Sequence, residues 1–270
     1  MTDPILDRYQ LDRLPFGPDI PVSRLAQAKP HREAAARLAW AIGHREICVV
    51  TGDVGAGKTV ALRACLAGLD PACHVAIYLP NPMVGLKGIH QSVVTALGGQ
   101  PRHYGNQVAA QAADLVTGEL DEKGRLPVLA IDEAHLLADS DLEALRMMTN
   151  TEMDTGSTFA LVLLGQPLLR RRLKHAALAA LDQRVTTRYQ LTGMTPQETS
   201  LYIQTHLAWA GRTAPLFADD ATTAICQAAR GLPRSVNTLA RAALVAGCST
   251  ATTLIDLTTA QRAIAEANEN

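Results

Sequence analysis

The sequence predicts an α/β protein: a parallel sheet with helical crossovers, followed by an all-helical C-terminal part. Three observations carry this. Short apolar runs alternate with segments of helical period as far as Leu191. A glycine-rich turn, Gly52-Asp53-Val54-Gly55-Ala56-Gly57-Lys58-Thr59, joins one such run to one such helix. Beyond Leu191 only helical patterns remain.

Residues 1–30 are rich in proline and read as an extended lead-in, with Phe16 in a turn that can dock on a core. An amphipathic helix covers 31–42, with Ala35, Leu38, Ala39 and Ile42 on one face. The expected strands are 47–51, 75–79, 128–132 and 158–164, with an alternating outer strand at 185–191. Helices are expected at 58–68, 88–97, 106–120, 141–153, 167–175 and 178–184. Four more are expected at 196–210, 218–229, 234–245 and 258–267. Strands alternating with helices give parallel pairing through right-handed crossovers. The domain division expected is a lead-in over 1–30, a nucleotide-binding α/β domain over 31–192 and a helical domain over 193–270.

The turn from Gly52 to Thr59 fits G-x-x-x-x-G-K-T and has the strand-loop-helix context that a phosphate-binding loop requires. Glycines let successive N–H groups converge on phosphate oxygens, and the following helix N-terminus adds partial positive charge. Lys58 would reach the β- and γ-phosphates, and Thr59 would hold Mg²⁺. Val60 completes the nucleotide-binding segment. A second apolar strand ends in Asp132-Glu133-Ala134-His135. Asp132 is placed to hold Mg²⁺ through water, and Glu133 to activate a water against the γ-phosphate. The cofactors implied are ATP and Mg²⁺.

Further polar groups follow the strands. Gln166, after the 158–164 strand, can reach the γ-phosphate or the attacking water; alternatively it is a turn residue before Pro167. Arg184 is a candidate arginine finger, with Arg188 as the alternative, while Arg170, Arg171 and Arg172 read as a solvated basic face. Arg234, in Gly231-Leu232-Pro233-Arg234, opens a helix and can bridge back to the same phosphates.

Composition sets bounds. Of 270 residues, 47% are hydrophobic, enough for a real core, and the net charge is −1, so any nucleic-acid contact must be local. The five cysteines lack metal-type spacing and read as thiols of a reducing cytosol. A signal peptide is not expected, because the N-terminus Met1-Thr2-Asp3-Pro4 has neither a basic n-region nor an apolar h-region, and a membrane span is not expected, because no apolar run reaches 18 residues.

Taken together, Gly52–Thr59, Asp132–His135, Gly165-Gln166-Pro167, Leu181–Arg184 and Gly231–Asn237 resemble the ExeA-like AAA+ ATPases, a group similar to the transposition regulators TnsC and TniB. Leu191–Thr199 also looks like that group's approach to its lid. The resemblance covers roughly residues 10–265. It implies a P-loop NTPase fold of AAA+ type: a five-stranded parallel sheet with a C-terminal helical lid, assembled into rings or helical filaments. By the same resemblance Gln166 is the first sensor, Arg184 the finger and Arg234 the second sensor.

Secretion-associated members carry an added membrane span and a peptidoglycan-binding module, whereas the short form resembles transposon-encoded members. Those are understood to assemble on duplex DNA with ATP and to present it to a transposase. The partners expected are therefore further copies of the chain, double-stranded DNA and a transposase, in the cytoplasm and without a membrane. Lys87, Arg102 and His103 are the candidate DNA contacts. The competing expectation is a secretion-type assembly ATPase with no DNA role. A DEAH helicase is rejected, since the strand after Asp132 ends in Leu163-Leu164-Gly165-Gln166-Pro167 and not in Ser-Ala-Thr, and only helical residues follow Leu191.

Overall fold

The computed structural model describes residues 3–17, 20–21, 28–150, 156–250 and 252–268. In chain order the elements are α1 (Pro4–Tyr9), α2 (Lys29–Gly43), β1 (Ile47–Gly52), α3 (Lys58–Ala67), β2 (His74–Leu79), α4 (Gly85–Ala96), α5 (Gly105–Asp121) and β3 (Leu126–Ile131). There follow α6 (Asp139–Met148), β4 (Ala160–Gly165), α7 (Pro167–Leu173), α8 (Ala179–Arg184), β5 (Val185–Leu191), α9 (Pro196–Trp209), α10 (Asp219–Ala229), α11 (Pro233–Ser249) and α12 (Leu257–Asn268). Two compact units result. A sheet unit comprises Glu33–Gly52 and Ala61–Gln190; a helical unit comprises Met1–Arg32, Asp53–Val60 and Leu191–Asn270.

In the sheet unit the strand order is β2-β3-β4-β1-β5 in a five-stranded parallel sheet. Strands β1, β3 and β4 are buried along their whole length. That is why they read as continuous apolar runs and not as alternation: a parallel sheet covered on both faces removes both side-chain rows from water. On β1, Ile47 and Val49 join the core of one face, while Cys48 and Val50 join the other. The second face is closed by Leu38 and Ile42 of α2 and by Leu62 and Cys65 of α3. Burial pushes the Cys48 thiol up to about 12 and Cys65 to about 11, so both behave as small apolar groups. Strand β5 alternates in exposure, as an edge strand should. The buried row of α2 differs from expectation: Ala34, Leu38, Ala41 and Ile42 are buried, whereas Ala39 is exposed.

In the helical unit α9 to α12 enclose a core that includes Ile203, Leu207, Ile225, Leu239 and Leu244. The lead-in, expected to be extended, contributes helix α1. Asp3 caps it by accepting from the Ile5 N–H at 2.9 Å, Pro4 is pre-set for the first helical position, and Tyr9 is buried. Phe16 also docks here, 5.2 Å from the His206 ring. Thr195 and Glu198 form a capping box at the start of α9. Gly231 has φ 64°, and a Cβ on it would lie 2.1 Å from the Met194 carbonyl oxygen. Two backbones therefore cross there, with Met194 N–H donating to the Gly231 carbonyl at 2.8 Å. The end of the expected 141–153 helix, residues 151–153, lies outside the described residues; α6 stops at Met148.

Candidate nucleotide site

The parallel register lines up the C-terminal ends of four strands. Thr51 pairs with Gly165, Leu79 with Ile131, and Ile131 with Leu163. Gly52, Asp132 and Gln166 thus leave the sheet along one edge, where open α/β sheets bind ligands.

The loop that continues from Gly52 lies in the helical unit from Asp53 to Val60. Gly55 has φ 81° and Gly57 φ 92°, conformations that cost little only without a Cβ. The Ala56 N–H donates to the Asp53 carbonyl at 3.1 Å, and so does the Lys58 ammonium, also at 3.1 Å. Lys58 is buried, and Asp53 and Val54 are exposed. Thr59 and Val60 follow in the first turn of α3. Arg234, at the start of α11, packs on this loop. Its N–H donates to the Gly55 carbonyl at 3.3 Å, and a Cβ on Gly55 would lie 2.8 Å from the Arg234 Cβ. His31 packs on it too, with Nε2 at 2.8 Å from the Ala56 carbonyl oxygen. Sequence reasoning missed His31: it carries no motif, and a single histidine in an amphipathic helix gives no signal of its own.

In the sheet unit, Asp132 follows the last residue of β3 and is buried. Its carboxylate accepts from the Tyr78 hydroxyl at 3.1 Å and from the Glu133 N–H at 2.8 Å. Tyr78 faces Ala130 across the β2–β3 ladder, so the sheet register delivers it. Burial, and then the Asp132 charge, push the Tyr78 hydroxyl up to about 12, which keeps it a donor. Glu133 adopts φ 50°, a left-handed conformation uncommon outside glycine. Its Oε2 lies 3.2 Å from His135 Nδ1, while the Gln166 N–H points at the same nitrogen across 3.5 Å. One nitrogen cannot serve both. It accepts from Gln166 as a neutral ring protonated at Nε2, or donates to Glu133 when Nδ1 holds the proton.

The basic residues are sorted by the structure. Arg184 ends α8, and its guanidinium donates to the Thr149 hydroxyl at 3.1 Å. Arg188 donates to Asp182 Oδ1 at 2.7 Å, and Lys174 reaches Oδ2 at 3.0 Å. Burial raises the Asp182 carboxyl, but the Lys174 and Arg188 bonds outweigh that and hold it below the usual carboxylate range. Arg188 and Lys174 line a cavity of about 370 Å³ with Arg37 and Arg170. Arg172 departs from the expected solvated face. It donates to the His135 carbonyl at 2.7 Å and pairs with Asp139, which fixes the turn after Glu133. Lys87, on the first turn of α4, and Arg102 and His103, before α5, are exposed. Exposed Met83, Val84 and Tyr104 accompany them.

This order of strands, with a glycine loop after β1 and paired carboxyls after β3, defines the AAA+ type of P-loop α/β fold. Residues 41–173 match the family model described as AAA domain. The chain is similar to general secretion pathway protein A of Aeromonas hydrophila, with 29% identity over 242 residues. That match takes in 88% of this chain but only 44% of the relative's length. Among solved structures it resembles Cdc6p from Pyrobaculum aerophilum, with TM-score 0.67, 19% identity, and coverage of 89% of this chain and 67% of that one. The Aeropyrum pernix ORC1 protein in complex with DNA gives TM-score 0.63, 18% identity, and coverage of 98% and 68%. Thermotoga maritima RuvB, the Holliday junction branch migration motor, gives TM-score 0.57, 17% identity, and coverage of 88% and 70%. At these identities the likeness concerns the fold. Among the described residues no helix is long and apolar enough to cross a membrane.

Proposed function

We propose that the chain binds and hydrolyses ATP, and that ATP drives copies of it to assemble on duplex DNA and present that DNA to a transposase. The observation that carries the nucleotide part is the loop itself: two glycines at positive φ and a buried lysine at the N-terminus of α3. In this reading the Gly52–Val60 backbone and Lys58 hold the phosphates. Glu133 takes a proton from the attacking water, Gln166 orients that water, and Arg234 contacts the phosphates from α11. Arg184 acts on a neighbour's nucleotide. A magnesium ion fits the donor set, because Asp132 is a buried carboxylate already fixed by two donors and Thr59 offers a hydroxyl. When bound it would neutralise phosphate charge.

The DNA part is supported by the resemblance to transposition regulators and by a fold likeness to an ORC1 protein solved with DNA. Lys87, Arg102 and His103 are the contacts proposed. A second reading, an assembly ATPase of the secretion type, is favoured by the similarity to general secretion pathway protein A. Binding to duplex DNA, measured with and without a slowly hydrolysed ATP analogue over a salt series, separates the two. Phosphate contacts release counterions, so the DNA reading expects ATP-dependent affinity that falls steeply with salt and weakens in Lys87→Ala or Arg102→Ala. ATP hydrolysis with no DNA binding at any salt would leave the secretion reading.

A further inference from the structure

His31 lies in the first turn of α2 and is 1% exposed. Its Nε2 is 2.8 Å from the Ala56 carbonyl oxygen, so Nε2 carries the proton and donates it. Its Nδ1 is then a buried acceptor with no hydrogen-bond partner among the described residues. Burial pushes the ring below the ordinary histidine range, which keeps it neutral. Leucine would fill the same space without burying an unpaired nitrogen but would lose the bond to the Ala56 carbonyl, so what histidine adds here is that bond.

The contact falls where the loop can be controlled. No peptide bond among the described residues is cis. In a planar trans peptide the carbonyl and the following N–H point in opposite directions. Holding the Ala56 carbonyl toward His31 therefore turns the Gly57 N–H the other way, away from the His31 ring. The ring also occupies the space beside Gly57, where a Cβ would lie 2.3 Å from Nε2.

We propose that His31 is a positioning residue of the phosphate loop: through its bond to the Ala56 carbonyl it aims the Gly57 N–H at the nucleotide phosphates. This rests on the nucleotide reading above. The test compares wild type with His31→Gln and His31→Leu, each checked by thermal melting. Glutamine can keep an N–H at the Nε2 position; leucine keeps bulk without a donor. ATP and ADP affinity are measured with a fluorescent nucleotide. The expected result is affinity weakened about three- to tenfold in His31→Leu, the worth of one hydrogen bond, and restored by His31→Gln. Should His31→Leu not fold, His31→Asn takes its place, since its shorter amide does not reach Ala56. Leucine or asparagine binding as tightly as wild type, or glutamine binding as weakly as leucine, overturns the assignment while the nucleotide reading stands. A folded wild type that binds no nucleotide overturns the nucleotide reading itself, and His31 with it.

Discussion

The phosphate loop and the carboxylate turn are supported by different kinds of neighbour. Gly55 and Gly57 sit beneath Arg234 and His31, side chains that arrive from helices far away in the chain. Asp132 is held by its own strand neighbourhood: the next residue's N–H and a tyrosine one strand over, placed by the β2–β3 register. The loop's shape therefore depends on a helical unit whose core also buries polar rings. The carboxylate's position depends on a sheet whose central strands are apolar on both faces. A device built on a regular ladder inherits the ladder's rigidity, whereas one built on a glycine loop needs outside braces.

The largest effect should come from separating the two supports chemically. Lys58→Ala removes the charge facing the phosphates and should abolish ATP binding. Glu133→Gln leaves the loop intact and should keep binding, while phosphate release falls by about 10²–10⁴, the usual worth of a positioned base. Hydrolysis at the wild-type rate in Glu133→Gln would remove Glu133 from its proposed role.

The helical unit should be the more acid-sensitive. His206 is buried between Phe16 and Tyr202, and burial pushes it down to about 4. The folded form holds the ring neutral, so between about pH 6.5 and pH 4 the unfolded chain binds the extra proton. Stability should fall as pH drops through that window, by roughly 3 kcal/mol from this group. His31 and His90 shift in the same direction, so the comparison must be between wild type and His206→Phe. Denaturant melts at several pH values should show a flatter dependence in the variant; identical slopes would show that His206 is not the sensitive group.

The smallest effect tests the sheet. Tyr78→Phe deletes one donor to Asp132 and should cost about 1 kcal/mol, read as a few-fold rise in the Mg²⁺ concentration needed for hydrolysis. ATP affinity measured without metal should not move. If it does, the two supports are coupled and the contrast between them is too sharp.

Much of this was legible from residues alone, because the informative signals are local. The Gly52–Thr59 spacing and the apolar runs ending at Asp132 and Gly165 are short-range patterns fixed by backbone sterics and burial. They determined the parallel sheet, the edge character of β5 and the candidate nucleotide residues. Other features depend on which distant segments meet, and no local pattern encodes that. Helix α1 forms where proline suggested extended chain, since Asp3 caps it and Tyr9 finds a core made of α9 to α12. Arg172 binds the turn after Glu133 because α7 packs beside it. His31 meets Ala56 because the chain folds back across 25 residues. Local sterics and side-chain period are properties of the sequence; the partner of a buried donor is settled only when the chain has closed around it.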